Sequence, residues 1–193
     1  MSSRRFLVFI MLLFSGFIQA QLLYLGGGVN GYRISNPDSD NSSFMRRGYQ
    51  IGADVMLGSS FYFRGGVHLM GSESGLEYDL DDQTLTGSLQ FTQLRVPVQI
   101  GLEVLDLKAI TVFAQTGLAG HGILSIREDE GMESLSEEVR RLQWGWIISA
   151  GVRLRFIEAS LSYDLGLSNV FKDPAGSSGS RHGLLQLSIG FVL

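Results

Sequence analysis

The chain has 193 residues, 25 glycines, only 18% charged residues and no cysteine, so it offers one ordinary domain without a disulfide framework or a lipidated cysteine. Its formal net charge of −4 excludes the basic surface that nucleic acid requires. A soluble domain of this length spreads both signs of charge over its surface, yet the only lysines are Lys108 and Lys172, both at the ends of apolar segments.

Arg4 and Arg5 precede an apolar run from Phe6 to Ile18, and Ala20 offers a small residue for cleavage before Gln21. A run of about 13 residues suits a secretory signal peptide and is too short for a membrane-crossing helix, which needs roughly 20. Residues 1–20 are therefore expected to be a signal peptide and 21–193 the mature domain. Ile18, three residues before the cut, departs from the usual small residue. Losing Arg4 and Arg5 takes the net charge from −4 to −6. No later segment approaches the 18 consecutive apolar residues of a membrane helix.

The mature chain then alternates. Gln21–Ile34 is a weak strand, with glycine and apolar residues on both faces. Its Gly26–Gly28 run is not followed by the helix that a phosphate-cradling loop needs, so these glycines read as points of tight curvature. In the next segment Tyr49, Ile51, Ala53, Val55 and Leu57 oppose Gln50, Gly52 and Asp54. Phe61, Phe63, Val67 and Leu69 oppose Arg64, Gly66 and His68. Leu94, Val96, Val98, Ile100, Leu102 and Val104 oppose Gln93, Arg95, Pro97, Gln99, Gly101 and Glu103. Pro97 removes a ladder donor inside this strand, which predicts a bulge or a local break.

Ala109–Arg127 is again a weak strand. Leu142, Trp144, Trp146, Ile148, Ala150, Val152, Leu154 and Phe156 then share a parity against Gln143, Gly145, Ser149, Gly151, Arg153 and Arg155. Ala159, Leu161, Tyr163, Leu165 and Leu167 alternate with Ser160, Ser162, Asp164, Gly166 and Ser168. Last come Leu185, Leu187, Ile189, Phe191 and Leu193 against Gln186, Ser188 and Gly190. Side chains on a strand point alternately to opposite faces, so each segment has one apolar and one small or polar face.

These are about eight strands, each reaching the roughly 9–11 residues that a tilted strand needs to cross a membrane. Short connections near Gly58–Ser60, Leu105–Lys108 and Phe156–Glu158 alternate with longer polar ones near Ser35–Arg47, Ser72–Thr84, Glu128–Arg140 and Lys172–Arg181. The expected fold is all-β, a transmembrane antiparallel up-and-down barrel, because open sheet edges cannot sit in lipid. It is expected in the cell outer membrane with both termini periplasmic.

Asp54, Arg64, Arg95, Glu103, Arg153, Arg155 and Asp164 fall on the polar parity and are the candidate interior charges. The interior of an eight-stranded barrel is just filled by side chains, so opposite charges there can pair. Tyr49, Trp144 and Trp146 near the external strand ends, with Phe61, Phe63, Phe156 and Phe191 near the periplasmic ends, read as two aromatic girdles. A soluble lipocalin-like barrel would invert the faces, but a water-facing surface so poor in lysine would be unusual.

Three stretches resemble the PorT-like outer-membrane β-barrel family of Bacteroidetes: Gln93–Leu102 (QLRVPVQIGL), Tyr163–Asp173 (YDLGLSNVFKD) and Leu187–Leu193 (LSIGFVL). The likeness covers nearly the whole mature chain in layout, through short motifs. It departs at the end, where Leu193 replaces the aromatic residue on which many barrels finish. The resemblance implies an integral outer-membrane protein, with a few members associated with secretion or gliding.

Neither the residues nor the resemblance points to an enzyme. His68, His121 and His182 are scattered over separate strands without metal-ligand spacing, and no serine stands beside a histidine with an acidic orienter. No cofactor and no metal is expected. The acidic clusters Glu73, Glu77, Asp79, Asp81, Asp82 and Glu128, Asp129, Glu130, Glu133, Glu137, Glu138 read as solvated loops, with divalent-cation binding as the sharper alternative. Ser134 and Glu137 have capping-box spacing, which predicts a helical turn in the second. The expected role is structural or protein-interacting, with the external loops as contact surface and a narrow solute channel as the alternative. A lipid-modifying barrel enzyme and a soluble calyx are more distant readings. Outer-membrane lipid, lipopolysaccharide and envelope proteins are the expected partners.

Overall fold

The computed structural model describes residues 21–35, 43–80, 83–128, 140–170 and 181–193, which form a closed antiparallel barrel. Its eight strands are β1 (Gln21–Ser35), β2 (Ser43–Gly58), β3 (Phe61–Leu80), β4 (Gln83–Asp106), β5 (Ile110–Glu128), β6 (Leu142–Leu154), β7 (Ile157–Asn169) and β8 (Arg181–Val192). Each strand pairs with its sequence neighbours, and β1 closes on β8 from Tyr24 opposite Val192 to Ser35 opposite Arg181. Leu23 and Leu193 exchange two backbone hydrogen bonds of 2.9 and 2.8 Å at the end of that seam. Closure leaves no unpaired edge, as a sheet in hydrocarbon requires.

The alternation places its faces as period-2 geometry dictates. Leu187, Ile189 and Phe191 are exposed outward, while Gln186, Gly190 and Val192 are buried inside. Three tight turns, β2–β3, β4–β5 and β6–β7, share one end with residues 21 and 193. The long connections share the other.

The Ser72–Thr84 stretch corrects the sequence reading. It is not a loop: β3 continues to Leu80 and β4 resumes at Gln83, in register as far as Leu80 opposite Gln83. With 20 and 24 residues, these strands are about twice the length a membrane crossing needs. The acidic residues made this stretch read as a loop, although Leu76, Tyr78 and Leu80 still alternate with Glu77 and Asp79 along the ladder. Glu73, Glu77 and Asp79 therefore lie on β3, and β2 likewise starts within the expected first loop, at Ser43. Residues 1–20, Asp81, Asp82, and the Ser134–Glu137 capping box lie outside the described residues.

Pro97 does produce a local break. The β3–β4 ladder pairs Gly65 with Val98 and resumes at His68 with Arg95, skipping Pro97 and Val96 without changing register. True register shifts occur elsewhere, on β2–β3 between Met45 and Tyr49 and on β4–β5 near Thr92 and Leu105. At the first of these, the Asn30 side chain donates to the carbonyls of Tyr49 and Gly71, at 2.9 and 3.2 Å.

Glycine supplies the closeness that the seam needs. Any side chain at Gly28 would put its Cβ 2.0 Å from the carbonyl oxygen of Leu187 on β8, and a backbone atom cannot step aside. Gly28→Val is expected to lower stability by about 1–3 kcal/mol or more. Gly122→Ala, whose Cβ would meet nothing nearer than 3.8 Å, stays within about 0.5 kcal/mol. Denaturant midpoints in lipid vesicles compare the two, and equal midpoints would mean that β1 and β8 are not tightly apposed.

Candidate functional site in the barrel interior

The inward faces fill the lumen in layers. At the tight-turn end Tyr24, Met56, Tyr62 and Val192 form an apolar cluster. At the opposite end Tyr32, Met70, Phe91, Ile123, Val170 and Leu184 form a second. Large inward side chains face glycines on neighbouring strands. Gly66 leaves space for the Asp54 carboxylate, Gly52 for the His68 ring and Gly101 for the Tyr62 ring.

Between the clusters lie two charged groups. In the first, Arg64 on β3 donates through Nε and Nη2 to Asp54 Oδ2 on β2, at 3.0 and 2.7 Å, and through Nη1 to Glu158 Oε1 across the lumen on β7. Arg153 on β6 donates to Glu158 Oε2 through Nε and Nη2, at 3.1 and 3.0 Å, and to Glu103 Oε1 through Nη1 at 3.1 Å. His68 Nε2 lies 2.7 Å from Asp54 Oδ1. The guanidinium groups also cover aromatic faces, Arg64 at 4.5 Å from the Tyr24 ring centre and Arg153 at 5.6 Å from that of Phe113.

In the second group Arg95 on β4 donates to both oxygens of Asp164 on β7, through Nε at 2.8 Å and Nη2 at 3.0 Å. Such a two-pronged contact fixes orientation as well as energy. His121 Nε2 stands 3.2 Å from Asp164 Oδ2. The His121 ring meets His182 edge-on at 5.1 Å, and His182 stacks on Tyr32 at 5.9 Å. Neither ring nitrogen of His182 has a hydrogen-bond partner among the described residues.

Amides and hydroxyls bridge the remaining space. Gln115 donates to the Tyr62 hydroxyl at 2.7 Å, Ser149 to Gln115 at 3.0 Å, and Gln50 to Ser188 at 2.6 Å. Between the charged groups lies a cavity of about 30 Å³ bordered by Asp54, Arg64, His68, Arg95, Gln99 and Gln115. That volume holds a water molecule or two and no organic solute.

Of the seven charges expected inside, Asp54, Arg64, Arg95, Arg153 and Asp164 are buried there and Glu103 is partly covered. Arg155 is a correction. It sits in the β6–β7 turn with φ 54°, and this left-handed turn position ends the alternation and leaves the side chain exposed. Glu158 was assigned to that same turn; it belongs to β7 and is 0% exposed, the acceptor shared by two arginines. The histidines are on separate strands but not scattered in space, since barrel closure brings His121 and His182 together. Among the described residues no set of three His, Cys, Asp or Glu side chains is arranged to hold a metal ion. Tyr49, Phe61, Phe63, Trp144, Trp146, Phe156 and Phe191 all stand exposed on the outer wall. Phe156 and Phe191 stack at 6.4 Å near the tight-turn end.

The barrel is similar in fold to OprG of Pseudomonas aeruginosa, with a TM-score of 0.50 and 10% identity over 90% of this chain and 95% of that one. Ail, the attachment invasion locus protein of Yersinia pestis, aligns over 91% of this chain and 100% of its own, at 10% identity and a TM-score of 0.44. Likeness at such identity concerns the fold alone. No curated protein matches in sequence. Residues 19–172 match the family described as outer membrane protein beta-barrel domain, and this span includes β1 to β7 and every arginine and carboxylate of the two charged groups. The chain belongs to the outer membrane protein beta-barrel domain family.

Proposed function

We propose that this protein is a non-conducting outer-membrane anchor that presents its long hairpins, above all β3–β4, for contact with envelope proteins. The filled lumen carries this reading: among the described residues, two apolar clusters occupy its ends, and the cavity beside the two ion-paired groups measures about 30 Å³. Both termini and the three tight turns then face the periplasm, the usual arrangement of outer-membrane barrels. The resemblance of QLRVPVQIGL and YDLGLSNVFKD to PorT-like proteins favours a partner within a secretion machine. The reading assigns the protein no catalytic step and no cofactor.

Reconstituted in planar bilayers, the protein is expected to give no steady single-channel steps. Reproducible steps of one size would replace this reading with a narrow solute channel. Orientation is testable because the chain has no cysteine of its own. Glu77→Cys on the long hairpin should react with a membrane-impermeant maleimide on intact cells, whereas Ser59→Cys in the β2–β3 turn should not.

A further inference from the structure

Two imidazoles in the lumen have nothing to hold. His121 on β5 and His182 on β8 are 1% and 3% exposed, and none of their ring nitrogens has a hydrogen-bond partner among the described residues. Buried polar side chains are almost always partnered, so a pair of orphaned rings points to a ligand that takes nitrogen lone pairs. The rings are also held in place. Tyr32 stacks on His182 at 5.9 Å and is itself anchored by donating its hydroxyl to Gln143 at 3.2 Å.

The rings converge above a gap. β6 and β7 separate their strands, and Gly145 on β6 presents no side chain between them. A Cβ at Gly145 would lie 3.2 Å from His182 Nε2 and 3.6 Å from His121 Nε2. The ring centres are 5.1 Å apart, within about 1 Å of the separation imposed by an ion held roughly 2 Å from each nitrogen.

The surroundings select the ion. Asp164 Oδ2, 3.2 Å from His121 Nε2, sets negative charge beside the pair, but Arg95 already occupies that carboxylate through two nitrogens. No set of three His, Cys, Asp or Glu ligands is arranged among the described residues, so the ion must be one content with two. Zn²⁺ takes four ligands. A dication would also be repelled by the Arg95 guanidinium twice as strongly as a monovalent ion. Imidazole suits copper, and Cu⁺ is satisfied by two nitrogens in line.

We infer that His121 and His182 bind one Cu⁺ ion through their Nε2 atoms, in the space above Gly145. The ion gives each ring a partner and clips β5 to β8 across the lumen. The site stands whichever end of the barrel faces outward, and whether or not the lumen conducts.

The test is anaerobic titration of the detergent-purified protein with Cu⁺ in competition with bicinchoninate, a coloured Cu⁺ chelator, with Zn²⁺ as the second probe. One Cu⁺ per barrel is expected, and X-ray absorption should show two nitrogen neighbours in line. His121→Gln and His182→Gln should each weaken retention by more than about a hundredfold, beyond the loss that an outer-shell partner causes. Gly145→Ala, which keeps both imidazoles but fills their gap, should weaken it too, and His68→Gln should not. No retained Cu⁺, wild-type retention by the double glutamine variant, sulfur neighbours from methionine, or Zn²⁺ held as tightly as Cu⁺ would each overturn the site. Should a glutamine variant fail to fold, the wild-type absorption spectrum still decides between two nitrogens and any other shell.

Discussion

Glu158→Ala is expected to cost about 3–5 kcal/mol of folding stability, the loss seen when one partner of a buried ion pair is removed. Glu158 is 0% exposed and accepts from Arg64 Nη1 and from two nitrogens of Arg153. Without it Arg64 keeps Asp54 and Arg153 keeps Glu103, but both guanidinium groups face an emptied space in the middle of the lumen. Water entering that space would soften the loss only by making the lumen wetter. Urea unfolding in lipid vesicles, followed through the fluorescence of Trp144 and Trp146 on β6, provides the measurement. A midpoint unchanged from wild type would mean that the carboxylate contributes nothing to the barrel. Glu158→Gln should fall between the two, because its amide oxygen can still accept while the charge is gone.

Asp164 offers a sharper comparison, because it can be varied together with its partner. Asp164→Leu alone leaves Arg95 buried without its bidentate acceptor and should also cost about 3–5 kcal/mol. Arg95→Met combined with Asp164→Leu removes both charges while keeping much of the volume, and is expected to be neutral or stabilising by about 1–4 kcal/mol. Desolvating two ions costs about as much as their attraction returns, so the pair fills and orients the lumen more than it stabilises it. The two variants should therefore move the unfolding midpoint in different ways. Equal losses in both would show instead that the pair is a net stabilising contact.

The fold was legible because outer-membrane strands expose one oily face. The 157–169 and 181–193 segments show this most clearly, with leucine, tyrosine, isoleucine and phenylalanine on one parity and serine, glycine and glutamine on the other. β5 was noisier because Phe113, Ala119 and Ile123 fill the lumen from the polar parity while Gly120 and Gly122 hollow the outer wall. β3 and β4 were cut short for a different reason, since the acidic residues Glu73, Glu77 and Asp79 outweighed the alternation of Leu76, Tyr78 and Leu80.

The interior was legible as a set of residues but not as contacts. Parity says which side chains point inward. Which of them touch depends on strand tilt and on register shifts such as those beside Tyr49 and Thr92. Arg64 and Glu158 are 94 positions apart in the chain, and nothing local joins them. Glu158 was hidden by its place beside Phe156, where a charged residue next to a tight turn reads as part of the turn. Arg155 erred the other way, because its parity matched Arg153 although the strand had already ended.

The two wholly buried carboxylates, Glu158 and Asp164, both stand on β7, whereas the arginines they neutralise stand on β3, β4 and β6. A sheet that has reached only β6 thus holds Arg64, Arg95 and Arg153 against Asp54 and Glu103, an excess of positive charge on its concave side. The penultimate strand brings the counter-charge, and the last strand pairs with the first. With β7 in place the three arginines face four carboxylates, Asp54, Glu103, Glu158 and Asp164, and the positive excess is gone. An open sheet is what hydrocarbon accepts least, and the C-terminal hairpin supplies both the missing negative charge and the closing edge.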